Sequence, residues 1–101
     1  MPYVYANVKV KYGQLPAFYE QMVTIKRVME EHGWKLVGAW STLIGDIHEV
    51  HDLWQVEDAN TVPNGYAAAF EDPEFVRASA QLATIADREV LSLVTKTPYS
   101  P

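Results

Sequence analysis

His48, His51 and Asp52 form the densest group of titratable side chains in this 101-residue chain. A histidine has an unperturbed pKa of about 6.5, so it can take or release a proton at neutral pH. A carboxylate beside it orients the ring or serves as a second acid. We take His51 or His48 as the candidate general base or acid and Asp52 as its orienter. Side chains alternate across a strand, so His48 and Asp52 share one face while His51 takes the other. All three enter one pocket only if the strand bulges. The competing reading gives each histidine a surface or interface role. A metal centre is poorly supported. The two histidines face opposite ways, Glu49 and Asp52 are divided likewise, and a complete ligand set would need help from a second chain. A haem would need one histidine only.

Large rings with one polar atom suit the walls of a cleft for an aromatic or polyketide-like molecule. Trp40, Trp54, Tyr3 and Tyr5 are such residues, and Asn7 on the first strand adds a hydrogen-bonding amide. Read singly, each tryptophan is as well explained as plain core. Arg77 is the first basic residue after a long acidic stretch. It would steer a carboxylate-bearing ligand, or pair with Glu74 or Asp72 around one helical turn.

The elements that must position these groups follow from periodicity. Tyr3 to Lys11 alternates as a strand, with Val4, Ala6, Val8 and Val10 on one face. Leu15, Phe18, Met22, Ile25 and Met29 form one stripe of a helix running from Leu15 to His32, and Gly33 suits the position after its last turn. Trp34 to Leu43 and Ile47 to Val56 read as a hairpin around Ile44-Gly45-Asp46. An even loop places Trp40 and Thr42 beside Glu49, His51 and Leu53. It also sets Val37, Ala39 and Ser41 beside His48, Val50, Asp52 and Trp54; an odd loop exchanges the partners. Ala59 to Phe70 is a weaker helix, diluted by Pro63 and Gly65. Asp72-Pro73-Glu74 starts a stronger one that ends near Ala86. Glu89 to Thr97 is the last strand.

This order predicts a ferredoxin-like split βαβ domain over residues 1–101: a four-stranded antiparallel sheet with helices on one face. Every strand carries apolar residues on both sides, so the bare face calls for a second copy, and a homodimer through the open sheet is expected.

Length, composition and charge narrow the classes. About 100 residues make one domain, and a chain without cysteine has no disulfide or thiolate metal site to compensate for its small core. No apolar run approaches the roughly 20 residues of a membrane span. The opening MPYVYANVKVKYG is unlike a signal peptide. The net charge of -5 argues against general nucleic-acid binding. A cytoplasmic location is compatible with the absence of cysteine. The charge deficit is local, since residues 36–74 hold eight acidic side chains and no basic one. That stretch is read as a solvated face, or as a patch for a basic partner.

Several blocks resemble the NIPSNAP family. They are Leu36-Val37-Gly38-Ala39-Trp40-Ser41-Thr42 with Ile44-Gly45, Val50 with Leu53-Trp54, Asp72-Pro73-Glu74-Phe75, and Thr97-Pro98-Tyr99-Ser100-Pro101. The family's pattern reads "LVGYW-T-IG", "V-HLW", "DPEW" and "TPFSP". The resemblance implies a ferredoxin-like subunit that assembles as a dimeric α+β barrel. It also implies kinship with small, often cofactor-free enzymes such as monooxygenases, cyclases, isomerases and dehalogenases, and with haem binders. Two departures matter. Asp52 stands where the family has histidine before Leu-Trp, with His51 one position earlier. Ala6, Ala59, Val62 and Gly65 stand where arginines are frequent, which favours a neutral or weakly polar ligand over an anion.

The expected function is a cofactor-independent enzyme acting on a hydrophobic small molecule by proton transfer, cyclisation or monooxygenation. Its candidate site is His51, His48 and Asp52 for catalysis, with Tyr5, Asn7, Trp40, Trp54 and Arg77 for binding. The alternative is a non-catalytic dimeric module that binds a small molecule or a protein.

Overall fold

Alternation of small apolar residues makes the first strand a divider between two different surfaces. In β1 (Tyr3–Val10), Val4, Ala6, Val8 and Val10 are buried under helices, and Tyr3, Tyr5, Asn7 and Lys9 face the other way. The computed structural model describes residues 1–101. After β1 come α1 (Leu15–Glu30), β2 (Lys35–Ser41), β3 (Glu49–Gln55), α2 (Thr61–Ala69), α3 (Pro73–Ile85) and β4 (Ala86–Val94). The strands form one antiparallel sheet in the order β2-β3-β1-β4, and the ferredoxin-like arrangement is as the periodicity predicts.

Helix α1 begins with Pro16 in its first turn, where a missing N–H has no partner to lose. It buries Phe18, Ile25, Val28 and Met29 against the sheet. Gly33, at φ +89°, turns the chain out of it. The next residue, Trp34, lies just before β2 and fills the core, meeting Trp54 and Tyr66 edge to face at 5.7 and 5.1 Å. Its indole N–H donates to the Thr61 carbonyl at 3.1 Å.

Helix α2 forms despite Pro63 and Gly65. Pro63 falls in the first turn, where backbone N–H groups have no helical acceptor. The Asp58 carboxylate accepts from the N–H groups of Asn60 and Thr61 at 2.8 and 3.1 Å. Gly65 is a packing requirement: a Cβ there would stand 2.5 Å from the Trp34 indole nitrogen. Helix α3 starts as its sequence predicts, with Asp72 accepting from the Glu74 N–H at 2.9 Å.

The other elements fall one or two residues short of the expected ranges at their ends, and two features differ more. Helix α3 passes into β4 with no intervening turn, so Asp87 and Arg88 belong to the strand, which ends at Val94. Strand β2 bulges at Val37: Leu36 pairs with Trp54, whereas Gly38 pairs with Leu53. From Ala39 onward the even-loop pairing holds, with Trp40 opposite His51 and Ala39 opposite Asp52. Below the bulge Leu36, not Val37, shares a face with Trp54.

The dimeric α+β barrel expected from the family resemblance is corrected by the sheet itself. Strands β2 and β4 are free edges that pair with nothing, and four strands stop well short of the roughly eight that close on themselves. The chain forms an open sheet with helices on one face, so the dimeric-barrel label is not carried forward. Nor does the fold carry the cytoplasmic label. It shows that no helix is long and apolar enough to cross a membrane.

Candidate functional site

Strand β3 delivers consecutive residues to opposite faces, and this separates the side chains that the sequence groups together. Asp52 and Trp54 point toward the helices, while His51 points to the open face.

On the helix face, the sheet and the helices leave a cleft of about 410 Å³. Its walls are mainly apolar and include Trp54, Phe70, Phe75 and Leu82. Ala6 leaves the floor open, because a methyl group fills little of the space above the strand. Asp52 lies in this cleft, 4% exposed, with no hydrogen bond or ion pair to its carboxylate. Burial pushes its pKa from the ordinary 3.8 to about 6, the Glu89 charge adds to the rise, and His51 opposes it. Glu89, on β4 at the mouth of the cleft, is itself pushed up by burial. Tyr66 of α2 is pushed up to about 12 by burial and by Glu89, so its phenol keeps its proton. Asp52 also borders a second groove of about 360 Å³ between α1 and β2, together with Trp40.

On the open face, His51 is the centre of a directed network. The Asn7 amide nitrogen, a donor, lies 3.2 Å from Nδ1, so Nδ1 accepts. The Tyr5 hydroxyl donates to the same Nδ1 at 2.6 Å. Nε2 therefore carries the ring proton and donates to Thr42 Oγ1 at 2.8 Å. The Thr42 hydroxyl donates onward to the Glu49 carbonyl at 3.4 Å. Asn7 is held in this orientation by Arg88, whose guanidinium donates to its Oδ1 at 3.4 Å and to Glu49 at 2.7 Å. Trp40 flanks the network, 56% exposed, its ring lying over Gly38.

The sequence-predicted residues thus fall into four places. Asp52 and Trp54 meet in the cleft. Tyr5, Asn7 and His51 meet on the open face, with Trp40 at its margin. His48 sits outside β3 at the foot of the hairpin, its ring 5.2 Å from that of Tyr12. Arg77 lines an outward groove between α1 and α3 with Gln21 and Glu74. Of the two helical partners expected for Arg77, Glu74 pairs with Arg27 of α1 and Asp72 accepts from the Glu74 N–H.

Sequence reasoning missed Glu89 and Tyr66. Glu89 was legible in part: it precedes Leu91 and Leu93 at strand spacing, which puts a carboxylate in an apolar row. Tyr66 gave no such signal within a weakly patterned helix. No three His, Asp or Glu side chains lie close enough together to hold a metal ion.

Comparison with known proteins agrees with this architecture. The NIPSNAP family model matches residues 4–101. No curated protein matches the chain. Among solved structures, a NIPSNAP family protein with unknown function from Agrobacterium tumefaciens superposes with a TM-score of 0.86 at 20% identity, over 100% of this chain and 92% of that one. An uncharacterized NIPSNAP domain protein from Burkholderia xenovorans gives 0.83 at 14% identity, covering 100% and 99%. An antibiotic biosynthesis monooxygenase gives 0.76 at 11% identity, covering 97% and 100%. The fold is therefore one that monooxygenases of antibiotic biosynthesis also use.

Proposed function

The chain belongs to the NIPSNAP family, and we propose that it is a small enzyme acting on a hydrophobic small molecule in the cleft between sheet and helices. The observation that carries this reading is Asp52, a buried carboxylate without a partner in a largely apolar cleft. An unpaired buried carboxylate costs stability, and such groups concentrate where a protein needs a proton acceptor. With its pKa at about 6, Asp52 is ionised at neutral pH yet basic enough to accept a proton.

The chemistry begins with Asp52 taking a proton from a carbon next to a substrate carbonyl. The C–H electron pair moves to the carbonyl oxygen, and the Tyr66 phenol supplies a hydrogen bond to the resulting enolate. The walls keep water from quenching it. Reprotonation gives an isomer; attack on a second carbonyl gives a ring. A carbanion of this kind is also the electron donor that oxygenation without a cofactor requires. Asp52 acts as the base, and His51 and His48, outside the cleft, do not reach the substrate.

The test is deuterium exchange at the activated CH₂ of 2-tetralone in D₂O, followed by proton NMR. Full-length protein should accelerate exchange, and Asp52→Asn should lose most of that acceleration, on the order of a hundredfold. Equal acceleration by both proteins removes Asp52 from the mechanism.

We also propose that a second copy of the chain covers the open sheet face. Trp40, Val90 and Val94 lie exposed there, more apolar surface than a solvated face needs. Light scattering should report twice the chain mass, and Val90→Lys should return it to one.

A further inference from the structure

We propose that the cleft selects a hydrophobic ligand bearing a protonated amine, which sits between the carboxylates of Asp52 and Glu89. This inference rests on the reading of the cleft as a small-molecule site and specifies what that site prefers; the ammonium engages one oxygen of Asp52 and leaves the other to meet the substrate C–H.

The sheet register sets the two carboxylates on either side of β1. Asp52 is opposite Ala6 on the β3 side, and Glu89 is opposite Val8 on the β4 side. Two strand spacings across and two residues along the sheet separate the backbones of Asp52 and Glu89, about 12 Å, and both side chains face the helices on either side of the low floor at Ala6. Each carboxylate is near enough for the Glu89 charge to act on Asp52. Neither has an ion-pair partner.

The remaining groups around the cleft do not supply a positive charge. Helix α1 contributes Met22, Ile25 and Met29, α2 the neutral Tyr66 phenol, and α3 the Ser79 hydroxyl. On β4, Asp87 adds a third carboxylate at the mouth. The only basic residue at the rim, Arg88, turns its guanidinium to Glu49 and Asn7 on the open face. Arg88 thus directs its charge to the opposite side of the sheet, and Lys26, in the second groove that Asp52 borders, is paired with Glu30.

Ligand entry strips water from Asp52. A neutral apolar molecule leaves the carboxylate desolvated and without a donor, and a carboxylate-bearing one adds repulsion. An ammonium group supplies both the missing charge and up to three N–H donors, which two acceptors on opposite sides can share. The shortage of basic residues in positions 36–74 suggests a neutral ligand from sequence alone; the converging carboxylates extend that preference to a cation.

Calorimetric titration of the full-length protein at pH 7.5 with three matched probes tests this: 2-naphthylmethylamine, 2-naphthylmethanol and 2-naphthoic acid. The amine should bind at least about tenfold more tightly than the alcohol, and the acid more weakly than either. Asp52→Asn and Glu89→Gln should each shrink the amine-to-alcohol ratio severalfold, with alcohol binding by the same variant reporting an intact cleft. Equal affinity for amine and alcohol overturns the amine preference and leaves the cleft as a ligand site. An amine advantage that survives in both variants overturns the assignment to these carboxylates. Failure of both amine and alcohol to bind overturns the ligand site and the preference together.

Discussion

His51 and Asp52 are neighbours on β3 with opposite circumstances. The imidazole is held by Tyr5, Asn7 and Thr42, and the carboxylate is held by no group of the chain. The pleat of one strand places a polar residue held by the chain and one that faces only the cleft back to back.

The member without a partner should be visible in stability. Asp52 has a folded pKa of about 6 against an ordinary 3.8. Between those values the folded protein holds a proton that the unfolded chain has released. Its contribution to stability is therefore fully present below the lower value and is lost as pH rises through the upper one. Raising the pKa from 3.8 to about 6 corresponds to about 3 kcal/mol. Relative to Asp52→Asn, wild type should lose stability from about pH 4 to pH 6 and then run parallel. Urea unfolding of both proteins across this range measures the difference. A variant that is less stable at pH 7.5 contradicts the expectation.

The satisfied member should behave as a coupled unit. Tyr5→Phe removes one donor to His51, and His51→Ala leaves the Tyr5 and Thr42 hydroxyls without their partner. Each should cost about 1 to 2 kcal/mol. The double variant should cost less than the sum by at least about 0.5 kcal/mol in a denaturation cycle. Strict additivity would mean that the hydroxyl and the ring do not interact.

Two glycines that crowd tryptophans should respond differently to alanine. At Gly65 the new methyl meets the Trp34 indole nitrogen, fixed in the core by its bond to Thr61. Gly65→Ala should destabilise by about 1 to 3 kcal/mol despite the higher helix propensity of alanine. At Gly38 the methyl meets the far edge of the exposed Trp40 ring, which can swing away. Gly38→Ala should cost well under about 1 kcal/mol and shift the tryptophan emission. Thermal melts separate the pair.

Helix α3 depends on its first residue. Asp72→Ala removes the acceptor for the Glu74 N–H and should cost about 1 kcal/mol, read as a lower midpoint in thermal unfolding. Asp72→Asn should recover most of it.

What the sequence made legible depended on the range of the interactions. Helix α1 could be read from its stripe and Gly33, because both are local. The face assignment of β1 followed from simple alternation. The bulge at Val37 had no local signal; it accompanies Trp40 folding over Gly38 and Leu36 reaching the core, contacts that exist only in the assembled sheet. The position of Trp34 was hidden for a similar reason: it looked like the first residue of a strand, yet it is fixed by contacts from α2. At the site, residue types were legible and grouping was not. His48, His51 and Asp52 are close in sequence, but the pleat and the strand boundary disperse them. Glu89 joins Asp52 through the sheet order, which links β3 to β4 only by way of β1, and Tyr66 joins it through the packing of α2 on Trp34.

The junction where Ile85 ends α3 and Ala86 begins β4 has no loop, and the strand sets its phase at once in a bulge: Ala86 pairs with Val10 and Arg88 with Lys9, with Asp87 as the extra residue. A loop would absorb an inserted residue; a direct helix-to-strand passage hands it to the strand. With the helix and that bulge both kept, one extra residue between Ile85 and Ala86 advances every β4 side chain beyond it by one step of a two-step alternation. Arg88 would then occupy the place of Glu89, and the charge at the mouth of the cleft would change sign without a single substitution. The length of the chain at that point is therefore as much a part of the site's chemistry as the residues that line it.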